Sequence, residues 1–526
     1  MTLAHWLLRT AQAHPDLPAV ALGPREARRY GDLARNAAAL AGWLRRSGAR
    51  KVQPVAIISE NRVEVLETLF GCWWAGFAVA PIAPDLAPED LTRALAYAEA
   101  ETCFVSPKAA GAVMAAAPEA VSHIIEYEGL GYLRALKAEP IDTPLAGSNR
   151  DTAWLAFSDL EPGDDPRAAM LSHEALMSLA LSLLAEVDPV RPRDAQIHAT
   201  PWHGPGGFML LPTLARGGVA VMPETGAFDP AEVYDNAAKW RRASTILSET
   251  HLRLLLASGA DMDGADFRTV ALTGVGASRR LIERGLERFG PRLARIYGQC
   301  AFPLGVTRLN CHDVSSRGEA FWEERVASVG RPFLTTEISI RPEDEHRNVE
   351  PGEQGWIHVR GQHGMRGYWR DRRSKVSNGA PAWRRTGMRG AVDQHGYLRV
   401  HGAPEHMLPG RNGALTAPES LEATLLDRGD AADAGATTRP KFDAFGRPDG
   451  EEIVTFVVEN TASPPRQPDL IGGAALPIAA QYAVEDLPRS SNGRLRRATL
   501  KRWAAERLAE ERAVMARSDD NRDGRA

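Results

Sequence analysis

The chain has 526 residues, four cysteines and a formal net charge of −4. That length exceeds one ordinary hydrophobic core and implies a large α/β unit with at least one smaller domain. The slight acidity argues against nucleic acid as a partner, and Cys72, Cys103, Cys300 and Cys311 follow no disulfide or metal spacing, which fits a reducing cytoplasm.

The first residues, Met1 to Trp6, lack the basic start and long apolar core of a signal peptide. From residue 30 onward helix and strand patterns alternate. An amphipathic helix is predicted over 30–47, a strand over 55–58, a helix over 63–75 and a buried strand over 77–82. The most apolar run, Leu69 to Ala80, stops at Pro81 and is too short to cross a bilayer, so the expectation is a cytoplasmic protein. Further strands are expected at 102–105, 123–125 and 154–157.

The 154–157 strand feeds an acidic loop with Asp159, Glu161, Asp164 and Asp165, whose only basic residue is Arg167, before a helix capped by Ser172. Strand–loop–helix layouts of this kind often hold phosphates, because glycine lets backbone amides approach an anion. Here the charge is reversed. One carboxylate about 5 Å from a phosphate charge costs roughly 3 kcal/mol at an effective dielectric of about 20.

Strands at 196–199, 219–222, 245–247, 270–272 and 294–296 alternate with helices and imply largely parallel sheets. After Val326 the rhythm changes to strands at 335–340, 356–359 and 397–400 separated by turns. The expected organisation is a large N-terminal α/β domain with mostly parallel sheets (1–402), including a β-rich subdomain (326–402). A hinge (403–409) and a small, mobile α+β C-terminal domain (410–505) follow, with a charged, disordered tail at 506–526. His358, His363, His401 and His406 match no metal-ligand spacing, read as solvated histidines, and no metal site is expected.

Several short motifs then fall in a recognisable order: Ser59-Glu60-Asn61, Pro166-Arg167 with Met170 to His173, Pro201-Trp202-His203, and Gly274 to Ala277. Tyr297-Gly298-Gln299, Ser328 to Pro332, Gly367-Tyr368-Trp369, Thr386-Gly387, Gly396-Tyr397-Leu398 and Leu487-Pro488-Arg489 to Gly493-Arg494 complete the series. Over about residues 5–505 this series resembles the adenylate-forming superfamily of acyl-CoA synthetases, AMP-binding enzymes and luciferases. The resemblance implies Mg-ATP and coenzyme A as cofactors. A carboxylic acid is adenylated, and a hinged C-terminal domain then swings so that a thiol takes the acyl group.

Carried onto this chain, the resemblance makes Arg494 and Arg167 stand where the family has catalytic and phosphate-loop lysines; arginine keeps the charge but changes reach and geometry. It implies that His203, Gly276, Ala277, Tyr297 and Gly298 line the acid and adenine clefts, and that His406 aligns with the hinge acid. At the nucleotide positions the family pattern is lost. Asp159 and Glu161 replace loop hydroxyls and glycines, Ala301 replaces the magnesium-binding glutamate, and Ala403 replaces a ribose-contacting arginine. Met388 replaces the ribose-binding aspartate, deleting two charge-assisted hydrogen bonds of roughly 1.5–3 kcal/mol each.

Scaffold positions match while nucleotide-chemistry positions do not. The expectation is therefore an acyl-CoA synthetase-like protein that binds a carboxylic acid or acyl group but is impaired in ordinary Mg-ATP adenylation. Two alternatives stand beside it. One is an active ligase with rearranged catalysis, in which the two arginines grip phosphate as guanidinium forks. The other is a non-catalytic partner of an acyl carrier protein or of another synthetase.

Overall fold

The computed structural model describes residues 1–48, 53–117, 119–158, 165–343, 349–370, 381–410, 415–429, 431–443, 447–459, 476 and 478–523. Two sheets with helices between them build a large α/β lobe, a β-rich sheet closes one side, and a small α+β lobe follows. In the larger sheet, strands Pro18–Leu22, Val219–Met222, Ala195–Ile197, Ala243–Ser248, Phe267–Thr273 and Leu293–Gln299 are neighbours and all run parallel. Each parallel step requires a crossover, which the intervening helices supply. Strands Arg25–Arg29 and Phe302–Leu309 flank this set antiparallel.

The second sheet places Val55–Ile58 between Val79–Ile82 and Thr102–Val105, with His123–Glu126 beyond, all parallel. Strands Val55–Ile58, Val79–Ile82 and Thr102–Val105 are buried on both faces, which explains their unbroken apolar runs. Trp73, Trp154, Trp202 and Phe208 fill the space between the sheets; the Trp154 ring lies 5.9 Å from Trp202 and 5.1 Å from Phe208. Helix Val63–Trp74 packs on helix Tyr30–Arg46 so closely that a Cβ on Gly71 would lie 2.8 Å from Leu40 Cβ. The same helix buries Glu67, whose carboxylate accepts from Arg28 Nε (2.5 Å), Asn36 Nδ2 (2.7 Å) and the Tyr132 hydroxyl.

At the N-terminal ends of the parallel strands, Arg268 forks onto Asp188 (2.6 and 2.8 Å) and reaches Asp194 (2.9 Å), with all three side chains largely buried. Arg242 adds a further bond to Asp194 at 2.8 Å. That edge of the sheet is stapled shut; the opposite edge is not.

Several elements differ from the sequence reading. Within the expected 157–173 loop, Ala168–Ser172 is a strand antiparallel to Thr152–Phe157, because Ala168, Ala169 and Leu171 are buried against the core. The Ser172 cap holds, accepting from Ala175 N at 3.1 Å. Strand Arg384–Val392 is a full member of the β-rich sheet, although its arginines and glycines hide any alternation.

The tail is not disordered from residue 506. Helix Arg497–Asp523 runs through it, with high-propensity Ala, Glu and Arg residues, and Glu511 is tied to Arg439 at 3.0 Å. His358 and His363 are buried rather than solvated. His363 sits against Thr336 Oγ1 (3.0 Å) and the Gly305 carbonyl, so the strands it joins have excluded water.

Burial holds His173, His251 and His363 down to about 4 and His198 to about 3. The unfolded chain binds these protons near pH 6.5, so stability is lost as pH falls from 6.5 towards 4, by up to about 1.4 kcal/mol per pH unit for each histidine. Thermal melts should show Tm falling from pH 6.5 to 5, and a His363→Asn variant should show a shallower fall. Separately, Glu67→Ala strands the buried groups around it and should lower unfolding free energy by about 3 kcal/mol, read from urea titration.

Candidate active site

Because six strands of the larger sheet are parallel, their C-terminal ends open on one edge, where α/β sheets place ligands. Four connections converge there: His198 to Gly204, Ser248 to His251, Gly274 to Ala277, and Tyr297 to Ala301. The first is braced from beneath. Asn61 Nδ2 donates to the carbonyls of His198 (2.8 Å) and Thr200 (3.0 Å), Asn61 Oδ1 accepts from Trp202 N (2.8 Å), and the Trp202 indole donates to Ser59 O (2.8 Å). The Ser59-Glu60-Asn61 motif is therefore a brace for the loop that carries half-buried His203.

The small lobe contributes a hairpin over 489–495. Its strands touch at the Arg489–Leu495 bridge, Ser490 N donates to Arg494 O at 2.8 Å, and Gly493 turns with φ of 77°. Arg489 anchors the base, forking onto Asp433 at 2.7 and 2.6 Å and donating to Gly493 O at 2.9 Å. The tip docks on the large lobe, where Thr250 Oγ1 donates to Gly493 O at 3.1 Å. Asp85 adds longer contacts to Ser491 Oγ (3.4 Å) and Arg496 (3.6 Å).

This seating brings Arg494 and Tyr297 together. The Arg494 guanidinium is exposed, and its charge acts on the buried Tyr297 phenol, whose pKa burial raises. Around Tyr297 the walls are apolar: Val275, Ala301 and Met388 all pack on the cluster that contains its ring. The Cys300 thiol donates to Phe157 O at 3.2 Å and ties the two large sheets together.

The remaining predicted residues are distributed unevenly. Arg167 is exposed and stacks over Tyr368 at 4.2 Å. Asp159 and Glu161 lie outside the described residues. Gly298 is small for packing, since a Cβ there would lie 2.7 Å from Leu304 Cα. Gly276 donates to Glu249 Oε1 at 2.7 Å, and its missing side chain leaves room for Glu419 of the small lobe; Ala277 beside it is buried. Ala403 precedes the short 3-10 turn Pro404–His406, where His406 is exposed.

Sequence reading missed the charged seam under this site. Burial raises the Glu249 pKa against the opposing pull of Arg295 and Arg253, with Glu419 adding to the rise. Arg497 binds Glu419 (2.9 Å) and both oxygens of Glu422 (Oε2 at 3.0 Å), gluing the hairpin's exit to helix Pro418–Arg428. Glu419 and Glu422 lie at i and i+3 on one helix, and their shared partner is 78 and 75 residues away, beyond the reach of local pattern.

The AMP-binding enzyme family profile matches residues 7–369. A feruloyl-CoA synthase from Amycolatopsis is 30% identical over 403 residues, covering 76% of this chain and 78% of the relative. An indoleacetate–CoA ligase from Aromatoleum aromaticum is 27% identical over 536 residues, covering 96% and 98%. Among solved structures, a benzoate CoA ligase from Burkholderia xenovorans superposes with a TM-score of 0.79 at 20% identity, covering 95% of this chain and all of the other. Among the described residues, no helix is long and apolar enough to cross a membrane. With its two-lobed architecture and a profile match over more than half its length, the chain belongs to the AMP-binding enzyme family, whose relatives here are CoA ligases of small carboxylic acids.

Proposed function

We propose that the protein is an acyl-CoA synthetase-like binder of an aromatic carboxylic acid in which ordinary Mg-ATP adenylation is impaired. The acid class is supported by the relatives' names, feruloyl-CoA synthase and indoleacetate–CoA ligase, and by the benzoate ligase among the structures. The observation that carries the impairment is the company kept by Tyr297: Ala301 and Met388 join its apolar cluster at the positions where the resemblance expects metal and ribose ligands. Neither side chain offers an oxygen. The described part of the cleft thus does not fit Mg-ATP held in the family manner.

What the chain's own residues supply is a cation and a gate. Arg494 brings a permanent positive charge to the mouth of the cleft, suited to a carboxylate or phosphate. The linker at 403–409 is proposed as the hinge on which the small lobe carries that charge in and out.

A second reading, a working ligase with rearranged catalysis, is favoured by the docking of the hairpin: the Thr250 bond to Gly493 O seats the tip beside Arg494 on the large lobe, as a catalytic cation requires. Acid-dependent ATP–pyrophosphate exchange separates the two. With a panel of benzoic, cinnamic and indoleacetic acids, exchange is expected to stay at the blank; a clear rate that disappears in Arg494→Ala would instead establish the second reading. Met388→Asp should restore ribose acceptors and tighten Mg-ATP binding roughly tenfold in calorimetry; unchanged binding would remove Met388 as the cause.

A further inference from the structure

Two glycines meet where the lobes touch, and they are glycines for different reasons. Gly493 turns the hairpin with φ of 77°, a left-handed conformation that disfavours any Cβ. Gly204 has φ of −109°, on the side open to other residues, with ψ of −148° just beyond the extended region. Its tightest constraint is space. A Cβ on Gly204 would lie 2.9 Å from both Cγ and Nδ2 of Asn492 and closer still to Oδ1.

The Gly204 side of the notch is firm. Gly204 caps helix Pro205–Ala215, whose residues 206–214 are all buried between the sheets, and the preceding loop is braced by Asn61. Asn492 is itself buried, although it sits at the tip of a hairpin whose neighbours Ser491 and Arg494 are not. The polar contacts from Asp85 are long and partly exposed, so they contribute little to holding the tip in place. The fit of Asn492 into Gly204 and the Thr250 bond are close contacts of the tip itself, while Asp427 ties the small lobe to Ser278, Arg253 and Arg280 farther away.

We propose that Gly204 is a positioning residue for Arg494: the missing side chain is the socket that receives Asn492, and side-chain size at 204 sets how deeply the small lobe seats over the cleft. This concerns lobe placement and holds whether or not ATP is turned over, so it goes beyond the functional reading above.

The test is hydrogen–deuterium exchange on the full chain, comparing wild type, Gly204→Ala and the double variant Gly204→Ala/Asn492→Ala. Overpacking by one methyl shifts a packed equilibrium roughly tenfold. Exchange in peptides covering 248–252 and 489–496 is therefore expected to quicken about tenfold in Gly204→Ala. The double variant, with the colliding atoms gone, should return at least halfway to wild type. Peptides from helix Tyr30–Arg46 should not change in either variant, which separates unseating from unfolding. Unchanged exchange at 489–496 in Gly204→Ala, or a double variant no slower than the single, would overturn the proposal. Because no turnover is read, failure of the ligase reading leaves this result untouched.

Discussion

Six neighbouring strands of the larger sheet share one direction, and this polarity determines where chemistry can occur. Parallel pairing forces every connection to cross from one end of the sheet to the other, so the two ends differ in kind. At the N-terminal end, Arg268, Asp188 and Asp194 form a largely buried network that satisfies its own charges. At the C-terminal end the connecting loops gather, and the small lobe's hairpin comes down onto them. Stability is concentrated at one edge and access at the other.

Much of this was legible in the chain. The doubly buried strands announce themselves as unbroken apolar runs, and Ser172 caps its helix as its residue type predicts. The order of short motifs located the edge where Tyr297, Gly276 and His203 gather. The sequence reading failed where packing overrides local pattern. Strand Arg384–Val392 shows no apolar alternation, and its Arg385 and Arg389 lie over Trp356 through cation–π contacts that no periodicity reveals. His358 and His363 have no apolar signature, yet the sheet closes around them.

The contacts that matter most at the site were the least readable. Asn492 and Gly204 are separated by hundreds of residues, as are Gly493 and Thr250, and neither pair carries any signature in the sequence. Glu249 looks like an ordinary first-turn acid until Arg295 and Arg253 are seen to surround it. A single sequence records which residue types are present, whereas the seam between two lobes depends on which of them face each other.

The hairpin bearing Arg494 runs without interruption into helix Arg497–Asp523, and Arg497 is clamped to Glu419 and Glu422 on the neighbouring helix. Its base is bolted to strand Ala431–Phe442 through Asp433. The arginine therefore has no private loop motion. It is held like the tooth of a cogwheel: any displacement of that charge must carry the strand and both helices of the small lobe with it.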